Sequence, residues 1–127
     1  MRYLVPAAVL AALLSPFASV AALAEDAAPA APVAVVVAIP TPPGVPETLL
    51  KQEFEKAAPR YQQIPGLKRK YFTLGNGTFG GIYYWSSKAA ADAWFNDAWY
   101  ARVDATYHAK PSVTYFQVPL AIEGTRP

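Results

Sequence analysis

The stretch LKRKYFTLGNGTFGGIYYW, Leu67 to Trp85, decides the architecture. At its centre Gly75-Asn76-Gly77 supplies residues that tolerate positive φ, the strongest short-range hairpin signal in the chain. Leu67 to Leu74 reads as one strand. Leu67, Arg69, Tyr71 and Thr73 share one face, and Lys68, Lys70, Phe72 and Leu74 share the other. Thr78 to Trp85 returns as the next strand. Phe79, Gly81, Tyr83 and Trp85 line one side of it, and Gly80, Ile82 and Tyr84 the other. The pair Gly80-Gly81 predicts a bulge or a close approach by another group.

Upstream, Val33 to Ile39 (VAVVVAI) is a β-branched run without charge, as an interior strand requires. Pro40, Pro42, Pro43 and Gly44 end it. Pro46 and Glu47 suit a helix start. Leu50, Phe54, Ala57, Tyr61 and Ile64 then form one apolar stripe opposite Lys51, Glu55 and Gln62. Pro59 predicts a kink or break near Ala58, and Pro65-Gly66 ends the element. Downstream, Ser86 or Ser87 caps a helix over Lys88–Asn96, with Ala90 and Trp94 along one side and Ala89 and Ala93 beside them. After a bend near Asn96-Asp97 the helix resumes over Ala98–Tyr107. Ser112 to Val118 is the fourth strand, and Thr125 to Pro127 read as loose.

The order β-α-β-β-α-β predicts an α+β, ferredoxin-like domain: a four-stranded antiparallel sheet with helices on one face. Both faces of every strand carry large apolar residues. The uncovered face must therefore meet a second subunit, a ligand, or both. A homodimer joined sheet to sheet satisfies this and can enclose a pocket.

The chain has 127 residues, 54% of them hydrophobic and 16% charged, with a net charge of +2. This is one domain's worth of sequence, too apolar for wholesale disorder and too weakly basic for a dedicated nucleic-acid binder. The absence of Cys excludes disulfides, thiolate metal sites and cysteine nucleophiles, and a single His, His108, leaves no metal-site expectation. Met1 to Ala24 reads as a cleaved secretory signal: Arg2, an apolar run from Leu4 to Leu14, and Ala22-Leu23-Ala24 before Glu25-Asp26. The run is short for a membrane span and ends in small residues rather than a basic stop, which argues against a stable membrane anchor. The mature protein is then periplasmic or secreted. Residues 25–32 read as a disordered Ala/Pro leader, and 33–123 as the folded domain.

Ile64-Pro65-Gly66-Leu67, the strand Gly80-Gly81-Ile82-Tyr83-Tyr84-Trp85 and the helix Ser87-Lys88-Ala89-Ala90-Ala91-Asp92-Ala93-Trp94 resemble the dimeric α+β barrel superfamily, which includes the antibiotic-biosynthesis monooxygenases. The branch they are most similar to is the YdhR-like monooxygenases. There a Pro-Gly precedes strand two, Gly-Gly-Ile-Tyr plus an aromatic forms strand three, and an Ala-rich helix with an aromatic follows. The resemblance covers Val33 to Glu123, without a catalytic signature. The signal segment is a departure, since such relatives are commonly cytoplasmic. The resemblance implies a homodimer with an apolar cavity in each subunit, and a cofactor-independent monooxygenase (an oxidoreductase) acting on a small phenol- or quinol-type aromatic. The alternative it leaves open is a non-catalytic periplasmic binder of a small apolar or haem-like ligand, with haem as the minor cofactor option.

His108 is the one side chain whose ordinary pKa lies near neutrality, so it is a candidate general base or axial haem ligand. Its ordinary reading is an exposed His at a helix end. Tyr83 is the second catalytic candidate. Tyr71, Trp85, Trp94, Trp99 and Tyr115 are candidates for binding a flat apolar ligand, against plain core and interface packing. Asp97 and Asp104 read as solvated. Lys68-Arg69-Lys70 reads as a solvated edge, because alternation splits it between two faces. Asn76-Gly77-Thr78 matches a glycosylation acceptor but serves the turn.

Overall fold

The computed structural model describes residues 31–125. The signal segment and most of the leader lie outside the described residues, as do the last two positions. The elements are β1 (Val33–Pro40), α1 (Glu47–Tyr61), β2 (Leu67–Gly75), β3 (Thr78–Trp85), α2 (Lys88–Trp94), α3 (Asp97–Tyr107) and β4 (Ser112–Gln117). The strands form one antiparallel sheet in the order β2-β3-β1-β4, the ferredoxin-like arrangement predicted from element order. No helix among the described residues is long and apolar enough to cross a membrane.

The hairpin turns at Asn76 (φ 55°) and Gly77 (φ 73°). Two successive left-handed residues give the turn a twist that matches the strands it joins. β1 is interior, between β3 and β4, and alternates strictly. Val33, Val35, Val37 and Ile39 are buried against the helices. They meet Phe79, Tyr83 and Trp85 of β3, Leu50 of α1, Ala91 and Phe95 of the α2 segment, and Trp99 and Val103 of α3. Full burial of a side chain such as Val35 is worth about 1.5–3 kcal/mol.

Three details differ from the sequence reading, and at Gly80-Gly81 the structure chooses between the two alternatives that reading left open. A bulge between Leu67 and Arg69 resets the alternation, so Leu67 packs on the helix side while Arg69 does not. α1 does not break near Ala58. Pro59 falls in its last turn, where it costs one backbone bond, and the helix ends two residues later at Tyr61. The second helical region buries Ala91 and Phe95, with Ala90 and Trp94 beside them, while Ala89 and Ala93 are exposed. The Gly80-Gly81 pair makes no bulge; it is a close approach. A Cβ at Gly80 would lie 2.1 Å from the Val37 carbonyl oxygen, and one at Gly81 would lie 2.7 Å from Cε of Lys70.

Capping at Ser87 is as read. The Ser87 hydroxyl accepts from the Ala90 amide at 3.1 Å, and the Asn96 side-chain oxygen accepts from the Trp99 amide at 2.9 Å. The face of the sheet away from the helices is apolar and open. Tyr71, Ile82 and Val36 are register neighbours across β2, β3 and β1, and Phe116 stands opposite Ala34 on β4. They are 55%, 43%, 37% and 51% exposed, which leaves a greasy layer without cover among the described residues.

Candidate active-site cavity

A cavity of about 460 Å³ lies on the helix side of the sheet, walled by α1, α3 and the three strands β1, β2 and β3. It is lined by one subunit, as the resemblance implies, rather than lying between the sheets of a dimer. The physical reason is the short α2–α3 corner. Phe95 and Trp99 fill the end beneath Trp85, and the space between α1, α3 and the hairpin is left to be lined by side chains. Aromatic rings come from every wall but β1: Phe54 and Tyr61 from α1, Phe72 from β2, Phe79 and Tyr83 from β3, and Trp99 and Tyr107 from α3. The rings brace one another. Phe54 and Phe72 centroids are 5.1 Å apart, Tyr61 and Phe72 5.3 Å, and Phe79 and Tyr107 4.9 Å.

Into this wall projects Lys70. Its Nζ lies 3.4 Å from the Tyr61 ring centroid, 3.9 Å from that of Phe72 and 4.5 Å from that of Tyr83. The two ion pairs among the described residues are Lys56–Glu53 and Lys88–Asp92, so Lys70 has no carboxylate partner there. Three ring faces attract an ammonium. Burial opposes it, with Arg60 repelling it further, and Lys70 is brought down from 10.5 to about 7. The reading of Lys68-Arg69-Lys70 as a solvated edge is corrected at its third residue. Lys68 and Arg69 are exposed, whereas Lys70 turns inward beside Phe72.

Two phenols of the lining, Tyr83 and Tyr107, are held in the protonated form. Burial pushes Tyr83 far up, with the Tyr61 hydroxyl adding to it. Burial also raises Tyr107, again with Tyr61 adding. The cavity thus pairs an amine that exchanges a proton near neutrality with phenols that donate hydrogen bonds and do not ionise there.

Of the residues singled out from the sequence, Tyr83 and Trp99 line the cavity. Trp85 does not. It is fully buried behind Tyr83, stacked on it at 5.9 Å, with its indole N–H unpartnered. Trp94 packs edge-on to Tyr61 at 5.6 Å and Tyr115 lies near Phe95 and Asp92, both outside the lining. Tyr71 lies on the open face of the sheet, its hydroxyl accepting from Arg69 at 3.3 Å. His108 is exposed at the C-cap of α3 in the left-handed conformation (φ 52°) and is not among the lining residues. The sequence reading missed Lys70 as a site residue. The signal was its place in the alternation with Phe72 and Leu74, on a face otherwise apolar.

No protein-family model matches the sequence, and no curated protein matches it. Solved structures do. A variant of the haem-degrading MhuD of Mycobacterium tuberculosis, with two manganese protoporphyrin IX bound per active site, is 25% identical; the match covers 73% of this chain and 99% of that one, with a TM-score of 0.52. SnoaB, a cofactor-independent oxygenase from Streptomyces nogalater, is 13% identical over 75% of this chain and 100% of its own, with a TM-score of 0.53. An antibiotic biosynthesis monooxygenase from Caulobacter crescentus is 18% identical over 80% and 99%, with a TM-score of 0.52. The chain has the fold of the antibiotic-biosynthesis monooxygenase-like proteins.

Proposed function

We propose that this chain is an exported, cofactor-independent monooxygenase that oxidises a planar phenolic substrate in the cavity and works as a sheet-to-sheet homodimer. The observation that carries the reading is Lys70: an unpaired amine among aromatic rings, at the wall of a space sized for one flat ligand. The fold shared with SnoaB supports the reaction class.

The chemistry needs three things from the protein. Stacking among Phe54, Phe79 and Trp99 holds the ring system away from water. The neutral Lys70 amine takes the substrate's phenolic proton, since its pKa of about 7 suits a base at neutral pH. Tyr83, kept protonated, donates a hydrogen bond to the oxyanion so formed. The electron-rich anion then reacts with O₂. For an anthrone-type substrate the ring methylene becomes a carbonyl: one oxygen atom enters the substrate, and the other leaves as water with the two methylene hydrogens. All four electrons come from the substrate, so no external reductant is required.

Haem, the group named for MhuD, is the other ligand to weigh. No His lines the cavity, so a haem seated there would have no imidazole as axial donor, and the amine the lining offers is that of Lys70.

Oxygen uptake with a panel of anthrones and quinols tests the reading. Lys70→Met should lower kcat by about 10²–10⁴-fold, the usual loss of a general base, and Tyr83→Phe by a smaller factor. Unchanged rates in both variants would defeat the assignment. A loss seen instead in His108→Ala would move the base to the imidazole, and tight ligand binding without oxygen uptake would make the protein a non-catalytic binder.

A further inference from the structure

We propose that Lys70 also captures carbonyl compounds: its amine condenses with a planar aromatic aldehyde seated in the cavity to form an imine. This goes beyond the oxygenase reading and requires only the same cavity.

Three observations carry it. First, Nζ is enclosed by the faces of Tyr61, Phe72 and Tyr83 and meets no carboxylate, so nothing anionic among the described residues holds it as an ammonium. Second, the side chain is seated. Its Cε occupies the gap left by Gly81, where a Cβ would come within 2.7 Å, so the amine is presented from a fixed stem. Third, the cavity it borders is walled by Phe54, Phe79 and Trp99, flat apolar surfaces that accept an aryl ring and leave its carbonyl toward the one amine in the lining. Burial and the nearby Arg60 keep a large fraction of that amine unprotonated near neutrality, as a nucleophile requires. The other lysines in the described residues, Lys51, Lys56, Lys68, Lys88 and Lys110, are exposed to water.

The step balances without oxidant or reductant. The amine nitrogen bonds to the aldehyde carbon, and one of its protons passes to the former carbonyl oxygen. The resulting hydroxyl then leaves as water with the second N–H proton, and a C=N bond remains. Tyr83, kept protonated by burial, is the lining phenol that can donate to the departing oxygen, and the apolar walls oppose hydrolysis of the imine.

The test is reductive trapping on the full chain with 2-naphthaldehyde and borohydride, read by intact mass and peptide mapping. One naphthylmethyl group per chain is expected, on the peptide carrying Lys70, acquired roughly tenfold or more faster than at any exposed lysine. Lys70→Met should lose it. Mapping on the unaltered protein locates the label whether or not that variant folds. Label spread over the exposed lysines, or none at Lys70, would overturn the proposal. Oxygen uptake is measured in parallel. Uptake without a Lys70 label sinks the imine and leaves the oxygenase standing; a Lys70 label with no uptake does the reverse.

Discussion

Lys70 couples the chemistry of the cavity to the stability of the fold. Its pKa is about 7 in the folded protein and 10.5 when freely solvated. Between these values the unfolded chain holds a proton that the folded chain lacks, so stability rises with pH across that window; below about pH 7 both states are protonated and the burial cost is felt in full. Urea unfolding at about pH 6 and about pH 9 should show the protein more stable at the higher pH by about 2–3 kcal/mol. Lys70→Met should flatten that slope and be the more stable protein at acid pH. A slope unchanged in the variant would place the titrating group elsewhere. Gly81 belongs to the same residue-scale device: glycine there is a space for a neighbour's stem, not a turn.

At the scale of elements, the α2–α3 corner decides where Trp99 stands. Asn96 serves both helices: its side-chain oxygen accepts from the Trp99 amide at 2.9 Å and its side-chain nitrogen donates to the Ala93 carbonyl at 2.9 Å. Ser87 caps only α2, through the Ala90 amide at 3.1 Å. Losing a cap costs about 0.5–2 kcal/mol, so Ser87→Ala and Asn96→Ala should both lower the unfolding free energy. Asn96→Ala should lose more and also weaken aromatic ligand binding, because it frees the segment that sets Trp99 against the cavity. Equal losses, with ligand affinity unchanged, would show that the corner is held by packing alone. The hairpin needs no such support, since Asn76 and Gly77 hold its turn through their own backbone preferences.

For the whole molecule the open face of the sheet is the governing feature. Tyr71, Ile82, Val36 and Phe116 lie exposed across all four strands, and the helices are all on the other side. A second copy laid face to face removes this surface from water at about 25 cal/mol per Å² of apolar area. Light scattering should give twice the chain mass. Ile82→Glu, which places a charge at the centre of that face, should give the monomer, with a urea midpoint that no longer rises with protein concentration. A wild-type protein that is monomeric at micromolar concentration would remove the dimer, and the cavity, lined by residues of one subunit, would survive it.

The element order, the hairpin and the Ser87 cap were legible in the sequence because each is a local property. Alternation, a pair of residues tolerant of positive φ and a side-chain acceptor three residues ahead of an amide act over a few positions. The uncovered apolar face was legible too, as soon as the strands were counted against two helical segments. The site was less so. Lys70 looked like one of three surface bases, because the gap at Gly81 that seats its stem among the rings comes from pairing between strands. Trp85, Trp94 and Tyr115 looked like ligand contacts, because an aromatic on a strand reads the same whether it meets a cavity or another ring. Local chemistry alone determined which segments are strands and helices. Only tertiary packing decided which side of the sheet encloses a space and which charged group is taken out of water to line it, because burial depends on neighbours far apart in the chain.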